Sequence, residues 1–404
     1  WRRGRASQPL SPGGPAGPLD LAGAAAKNGT RESRRQPACA RRGGWHGHRA
    51  AGNYNHRLAS RAQKAGGDGG PRLWRPSFIR TCILKLPELL APIADDMKAV
   101  DAVIRARLNS DVMLIRTIGE YIIGAGGKRM RPALLLMMAR ALGYQGTQHC
   151  LLAAVVEFIH TATLLHDDVV DESELRRGRD TANAVFGNAA SVLVGDYLYS
   201  RAFEMMVEAD SMRIMSILSQ ATTVIAEGEV LQLLNVHDPD TSQERYLQVV
   251  RYKTAKLFEA AAQVGAVLAG ATPEQEAAAA AYGRHIGTAF QLVDDVLDYS
   301  GEAGALGKNV GDDLREGKPT LPLIRVMEIG SPEQRRLVRE AIQTGQGDFD
   351  AVAAAIRATD ALDHTRECAR IEAGLAREAL AAYPVSGYRE SLLEFCAFAV
   401  ERDR

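Results

Sequence analysis

From about residue 87 onward, apolar residues recur at three- and four-residue intervals, and no stretch alternates with a period of two for long enough to build a sheet. Long runs rich in Ala, Leu, Glu and Arg end at short breaks of Gly, Pro, Asn or Asp. The pattern predicts helices over about 88–108, 111–124, 132–142, 148–171, 184–208, 211–236, 242–269 and 274–299, with shorter ones to the end. Breaks are expected at 124–127, 143–146, 176–181, 238–241, 270–273 and 301–317. Long helices with wide apolar faces must cover those faces with one another. The expected fold class is all-α: a large bundle with a buried centre and almost no strand.

The 49 basic and 49 acidic residues balance, but unevenly along the chain. Residues 1–80 hold 14 Arg and 2 Lys against Asp20, Glu32 and Asp68, so a net +13 head precedes a net −13 body. The same 80 residues carry 14 Gly, 7 Pro and all three tryptophans, with no apolar period, and the first Met is Met97. Such composition cannot bury a core. Residues 1–85 are therefore expected to be a disordered basic extension, non-native to the working protein, against the rival readings of a nucleic-acid-binding arm or an Arg-rich transit peptide, with residues 86–404 as the functional domain. An acidic body argues against nucleic acid as a partner. Any anionic ligand must be held by local basic clusters or by metal ions. The cysteines (Cys39, Cys82, Cys150, Cys368, Cys396) are scattered without a CxxC pair, and no apolar run reaches the ~18–20 residues of a membrane span. The expectation is a cytoplasmic protein with no zinc site and no transmembrane segment.

Asp167-Asp168-Val169-Val170-Asp171 stands at the C-terminal end of an apolar helix. Residues four apart on a helix share a face, with Cβ atoms about 5–6 Å apart, so Asp167 and Asp171 project together. Two carboxylates so close repel unless a cation lies between them. Oxygen ligands alone point to Mg²⁺ or Ca²⁺, and Mg²⁺ favours one or two carboxylates with water and substrate phosphate. One such cluster is compatible with a solvated acidic helix end. The spacing recurs, however, in Asp294-Asp295-Val296-Leu297-Asp298, again closing an apolar helix. Two facing pairs could clamp several Mg²⁺ ions around one diphosphate.

Gly126-Gly127-Lys128-Arg129-Met130-Arg131-Pro132 falls where one helix ends and the next begins. Three cations within four residues of a turn make a compact anion site. The glycine-rich run is not a Walker loop, because Lys128 is followed by Arg129 and no strand precedes it. A second basic cluster, Arg176-Arg177-Gly178, follows Asp171 closely. Acidic and basic groups in this order suggest one site where metals take one diphosphate and arginines another.

With GGKRMRP, HTATLLHDDVVDESELRRG, YKTAKLFEAA, GTAFQLVDDVLDYSG and LGKNVGDDLREGKPTLPLI in place, the body resembles the trans-isoprenyl diphosphate synthases over about 87–404. GNAASVLVGDYLYSRAF and VIAEGEVLQLLNV look like the bacterial octaprenyl branch of that family. The resemblance implies an isoprenoid-synthase-type bundle around a central cavity, and a homodimer. It assigns Asp167, Asp171, Asp294 and Asp298 to about two or three Mg²⁺ ions, with Asp168 and Asp295 in support. It gives Lys128, Arg131, His160 and Arg177 to isopentenyl diphosphate. It gives Arg176, Lys253, Thr254, Gln291 and Lys308 to the allylic diphosphate. His160 stands seven residues before Asp167, two helical turns, and so faces the same way.

The implied reaction is repeated condensation of isopentenyl diphosphate onto an allylic diphosphate such as farnesyl diphosphate, making a long all-trans chain for a quinone tail. Small residues at Ala162 and Thr163, about one turn before Asp167, leave a tunnel open for that chain. Its floor is expected deeper, near Met205, Met206 or Met215. A terpene cyclase of the same fold is the alternative enzyme, but its second metal motif normally uses Asn or Ser. A non-catalytic subunit of a heteromeric synthase would tend to lose one aspartate motif, and both are intact.

Overall fold

The protein is described by a computed structural model covering residues 85–300 and 311–402. The expected basic extension, apart from Lys85, and the candidate ligand Lys308 lie outside the described residues.

Among the described residues the chain is almost entirely helical. Helix α1 (Leu86–Leu90) leads through a 3₁₀ turn (Ala91–Ile93) into α2 (Ala94–Arg107), followed by α3 (Met113–Gly124), α4 (Met130–Ala141) and α5 (Gln148–Val170). A hairpin of β1 (Leu175–Arg176) and β2 (Arg179–Asp180) precedes α6 (Ala182–Phe186), α7 (Asn188–Glu208) and α8 (Met212–Asn235). Helix α9 (Gln243–Val249) runs through a π-helical turn (Val250–Ala255) into α10 (Lys256–Leu268), and α11 spans Pro273–Ser300. The rest is α12 (Asp312–Arg315), α13 (Leu321–Ile329), α14 (Pro332–Thr344), α15 (Phe349–Ala358), α16 (Ala361–Ala379) and α17 (Gly387–Glu401).

Helix α5 is buried along most of its length, with its own Cys150, Leu152, Phe158, Ile159 and Leu165 all in the main core. It packs on α4 and α7, while α10 and α11 pack on each other and α11 also meets α16. By length and composition α5 is apolar enough to cross a membrane, yet 72% of that stretch is covered by the protein itself. Phe158, Phe258, Tyr282 and Phe395 are among its largest fully buried side chains. Each such apolar ring contributes about 1.5–3 kcal/mol of burial. A smaller core of Tyr299, Leu314, Leu323, Val338 and Ile356 fastens the end of α11 to α12–α15.

The predicted helices are present, and their boundaries differ for local reasons. The helix expected over 88–108 is interrupted at Pro92, which has no N–H to give and turns the chain through the 3₁₀ segment. The helix expected from 184 is broken at Gly187, whose φ of 84° ends α6 and starts α7. The break expected at 176–181 is the hairpin. Its two loop residues, Arg177 and Gly178, both have positive φ (54° and 73°), as a tight type I′ connection requires.

Candidate active site

The helix ends converge on a cavity of about 740 Å³. Asp167 and Asp171 line it at the end of α5, while Asp168 points away, 1% exposed, and accepts from Arg176 Nε at 2.8 Å and Nη2 at 2.6 Å. Arg176 belongs to the hairpin, so this buried ion pair fastens the hairpin to the helix that carries the aspartates. Asp294 and Asp298 line the same cavity from α11. Asp295, also 1% exposed, accepts from Gln291 Nε2 at 2.9 Å and from the Tyr246 hydroxyl. Burial and Asp313 push its carboxyl well above the usual range. In both motifs the outer aspartates line the cavity and the middle one is buried and tied to neighbouring side chains, Asp168 outside the cavity and Asp295 at its wall.

The two motifs are joined by a short path of contacts. Lys318 Nζ donates to Asp171 at 2.8 Å, Lys318 N donates to the Asp313 carbonyl at 2.8 Å, and Asp313 N donates to Asp298 Oδ2 at 3.3 Å. On the other side, Lys253 Nζ donates to Glu229 at 2.6 Å and lies 3.6 Å from Asp167. Burial disfavours charge on both ammonium groups. For Lys253 the fields of Asp167 and Glu229 outweigh it, and for Lys318 those of Asp171 and Glu316 do, so both lysines hold their protons more tightly than usual. Burial pushes the Glu229 carboxyl up to about 7, against the pull of Lys253 and aided by Asp167. Lysine ammonium groups thus sit among carboxylates that offer only oxygen. A divalent cation fits that donor set on the same ground, as a hard positive charge needed by crowded acids.

The predicted basic residues lie in the same cavity. Arg131 stacks 4.4 Å over Phe258 and donates Nη1 to His160 Nε2 at 3.2 Å, so the imidazole keeps its remaining proton on Nδ1. Burial, then Arg131 and Arg177, hold His160 well below its ordinary value, in the neutral form. Burial also lowers Arg131 to about 10. Lys128 comes down to about 8 through burial first, with Arg402 and Arg177 repelling its charge and Asp294 opposing the fall. Gly127 leaves room for the hairpin. A β-carbon there would lie 2.8 Å from both terminal nitrogens of Arg177.

Thr254 Oγ1 donates to Gln291 Oε1 at 2.9 Å, so these two candidates act as a unit. Thr163 lines the cavity and Ala162 does not. Four residues back from Asp167 is a rotation of about 40°, whereas five is about 140°, which turns Ala162 into the core. Of the two, only Thr163 faces this cavity, and Ala162 is buried in the core. Of the residues expected at its floor, Met205, Met206 and Met215 do not line this cavity.

Sequence reasoning passed over several cavity residues. Asp312, Asp313 and Lys318 lie within one of the quoted motifs, and a second acidic pair so soon after Asp298 was the available signal. Arg402 carried none. Its side chain is 2% exposed, stacks 3.7 Å over Phe290, donates to the Phe290 carbonyl at 2.7 Å and pairs with Asp294 at 2.7 Å. A separate Asp96–His149–Cys150 group has ligand atoms within 4.8 Å of one another, but Arg140 already grips Asp96 through Nε and Nη2. Burial pushes the Cys150 thiol up to about 11.

Residues 112–359 match the polyprenyl synthetase family. The chain belongs to that family. The matched span includes both aspartate motifs and GGKRMRP, and ends before Arg402. Among polyprenyl synthetases, an octaprenyl diphosphate synthase of Escherichia coli is 55% identical over 313 residues, 77% of this chain and 97% of that one. An all-trans-nonaprenyl-diphosphate synthase (geranyl-diphosphate specific) of Rhodobacter capsulatus is 46% identical, over 78% of this chain and 97% of that one. A polyprenyl synthase from Caulobacter crescentus, solved with calcium and isoprenyl diphosphate, superposes with a TM-score of 0.77 at 46% identity. That superposition covers 79% of this chain and 98% of the Caulobacter chain.

Proposed function

We propose that this chain is a trans-polyprenyl diphosphate synthase that condenses isopentenyl diphosphate repeatedly onto an allylic diphosphate and makes a long all-trans product, octaprenyl diphosphate by preference. The observation that carries this reading is that two aspartate motifs and two sets of cations line one cavity. A single diphosphate would not need both sets. Octaprenyl length is supported by the relatives at 55% and 51% identity, both octaprenyl diphosphate synthases.

In this mechanism Lys128, Arg131 and Arg177 hold the diphosphate of isopentenyl diphosphate, with His160 donating from Nδ1. Lys253, Thr254 and Gln291 hold the allylic diphosphate beside Asp167 and Asp294, with Arg176 acting by fixing the hairpin. Asp167, Asp171, Asp294 and Asp298 would hold Mg²⁺, which when bound neutralises charge on the leaving diphosphate. The allylic C–O bond breaks with its electron pair going to the diphosphate oxygen. The isopentenyl double bond supplies the pair for the new C–C bond, and the proton then lost passes to the released diphosphate. Thr163, Leu164, Ile225 and Leu257 give the cavity an apolar side that keeps water from the cation. The reading extends to a cytoplasmic homodimer using about two or three Mg²⁺ ions per site and feeding a quinone side chain.

The test is incubation with farnesyl diphosphate, labelled isopentenyl diphosphate and Mg²⁺, followed by sizing of the dephosphorylated product. A ladder ending near eight isoprene units, on the order of the octaprenyl relatives' product, is expected. A cyclic hydrocarbon, or no incorporation, would refute the proposal.

A further inference from the structure

The helix that carries Lys253 and Thr254 is not a plain α-helix at that point. Residues Val250–Ala255 form a π turn between α9 and α10. A π turn bonds five residues apart and is wider than an α turn, so it needs space on its flanks. Both flanking helices supply that space with a glycine. On α8, a β-carbon at Gly228 would lie 2.6 Å from Lys253 N and 2.9 Å from the Tyr252 carbonyl carbon. On α11, a β-carbon at Gly287 would lie 2.6 Å from Ala255 Cα and 2.9 Å from Ala255 Cβ. In both cases the obstacle includes backbone, which has no flexible end to swing aside.

The side chains on either side of these contacts are the ones that face the cavity. Gly228 is followed by Glu229, which receives Lys253 Nζ at 2.6 Å. Gly287 is one turn before Gln291, which receives Thr254 Oγ1 at 2.9 Å. Adjacent residues of one turn thus reach different helices, Lys253 toward α8 and α5, Thr254 toward α11. We infer that Gly228 and Gly287 are positioning residues: together they clamp the π turn in the register that aims Lys253 and Thr254 at the allylic diphosphate. The inference rests on the proposed roles of Lys253 and Thr254. It adds that the register of the turn, and with it allylic affinity, is set by two residues that touch no substrate.

The experiment compares Gly228→Ala and Gly287→Ala, made separately in the full chain, with Gly265→Ala. Gly265 is an equally tight helix contact, 2.6 Å from the Leu135 carbonyl for a built β-carbon, but it lies away from the π turn. Each variant is read for KM of the allylic diphosphate, KM of isopentenyl diphosphate, kcat and thermal midpoint. A displacement of the lysine by a fraction of an ångström should raise the allylic KM by ~10–100-fold in the two clamp variants. The isopentenyl KM should stay within about twofold, because its cations sit on the turn before α4, on α4 and on the hairpin. Gly265→Ala should lose thermal stability with both KM values unchanged. Lys253→Ala is the fourth arm. If it leaves the allylic KM unchanged, the role given to Lys253 fails; if it raises that KM and the clamp variants do not, the clamp fails while the role stands. Equal rises in both KM values, or loss of folding in both clamp variants while Gly265→Ala folds, would make the contact structural only and overturn the inference.

Discussion

Lys128 is the residue whose chemistry is most open to a simple measurement. Burial and the neighbouring Arg402 and Arg177 bring its ammonium down to about 8, so in the free site it begins to lose its proton near neutrality. The charged form is the one that binds an anion. The KM for isopentenyl diphosphate should therefore be nearly flat below pH 7 and climb as pH rises through about 8, by ~10-fold near pH 9. Lys128→Arg, which keeps its charge, should remove that inflection. A wild-type profile that stays flat to pH 9.5 on this ~10-fold scale would contradict the lowered ammonium, and an unchanged isopentenyl KM in Lys128→Ala would show that Lys128 does not hold this substrate. The sequence revealed Lys128, Arg131 and the outer aspartates because each sits in a compact motif. Arg402 stayed hidden because its burial against Phe290 and Asp294 is a long-range fact about where the last helix ends.

At the scale of elements, the hairpin between α5 and α6 is the most exacting piece. It is only six residues long, from Leu175 to Asp180, too short to be stable alone. Asp168 holds it through Arg176, and the positive φ of Arg177 and Gly178 closes it. Asp168→Ala would leave the Arg176 guanidinium, 20% exposed at the cavity wall, without its carboxylate, at a cost of about 1–3 kcal/mol. The thermal midpoint should fall, and activity should fall with it as Arg177 loses its place. Gly127→Ala presses on Arg177 directly and should raise the isopentenyl KM while leaving the allylic KM near its starting value. Equal effects on both substrates would contradict the separation of the two diphosphate positions. The helices themselves were legible from periodicity, α5 to within a residue. The π turn was not, because Arg251-Tyr252-Lys253-Thr254-Ala255 reads as ordinary helix and the inserted register depends on which neighbours offer a glycine.

For the molecule as a whole, the placement of Thr163 and Ala162 separates two substitutions that look equivalent in sequence. Thr163→Tyr projects into the cavity beneath the aspartates and should shorten the product, seen as a shift of the chromatographic ladder to fewer isoprene units. Ala162→Tyr instead overfills the core, at a cost of about 1–3 kcal/mol or more, and should lower stability before it alters chain length. The reverse pattern would assign the length-setting role to Ala162 rather than Thr163. The all-α bundle was readable because its helices are long and apolar on wide faces; the depth of the cavity was not, since it depends on how α5, α8 and α10 meet. The account depends on both aspartate motifs serving one diphosphate. Diffraction from crystals grown with Mn²⁺ and inorganic diphosphate tests that directly through the anomalous signal of manganese. The account predicts manganese at Asp167 and Asp171 and also at Asp294 and Asp298, with one diphosphate bridging the two groups. Manganese at only one motif, or diphosphate bound solely by Lys128, Arg131 and Arg177, would contradict it.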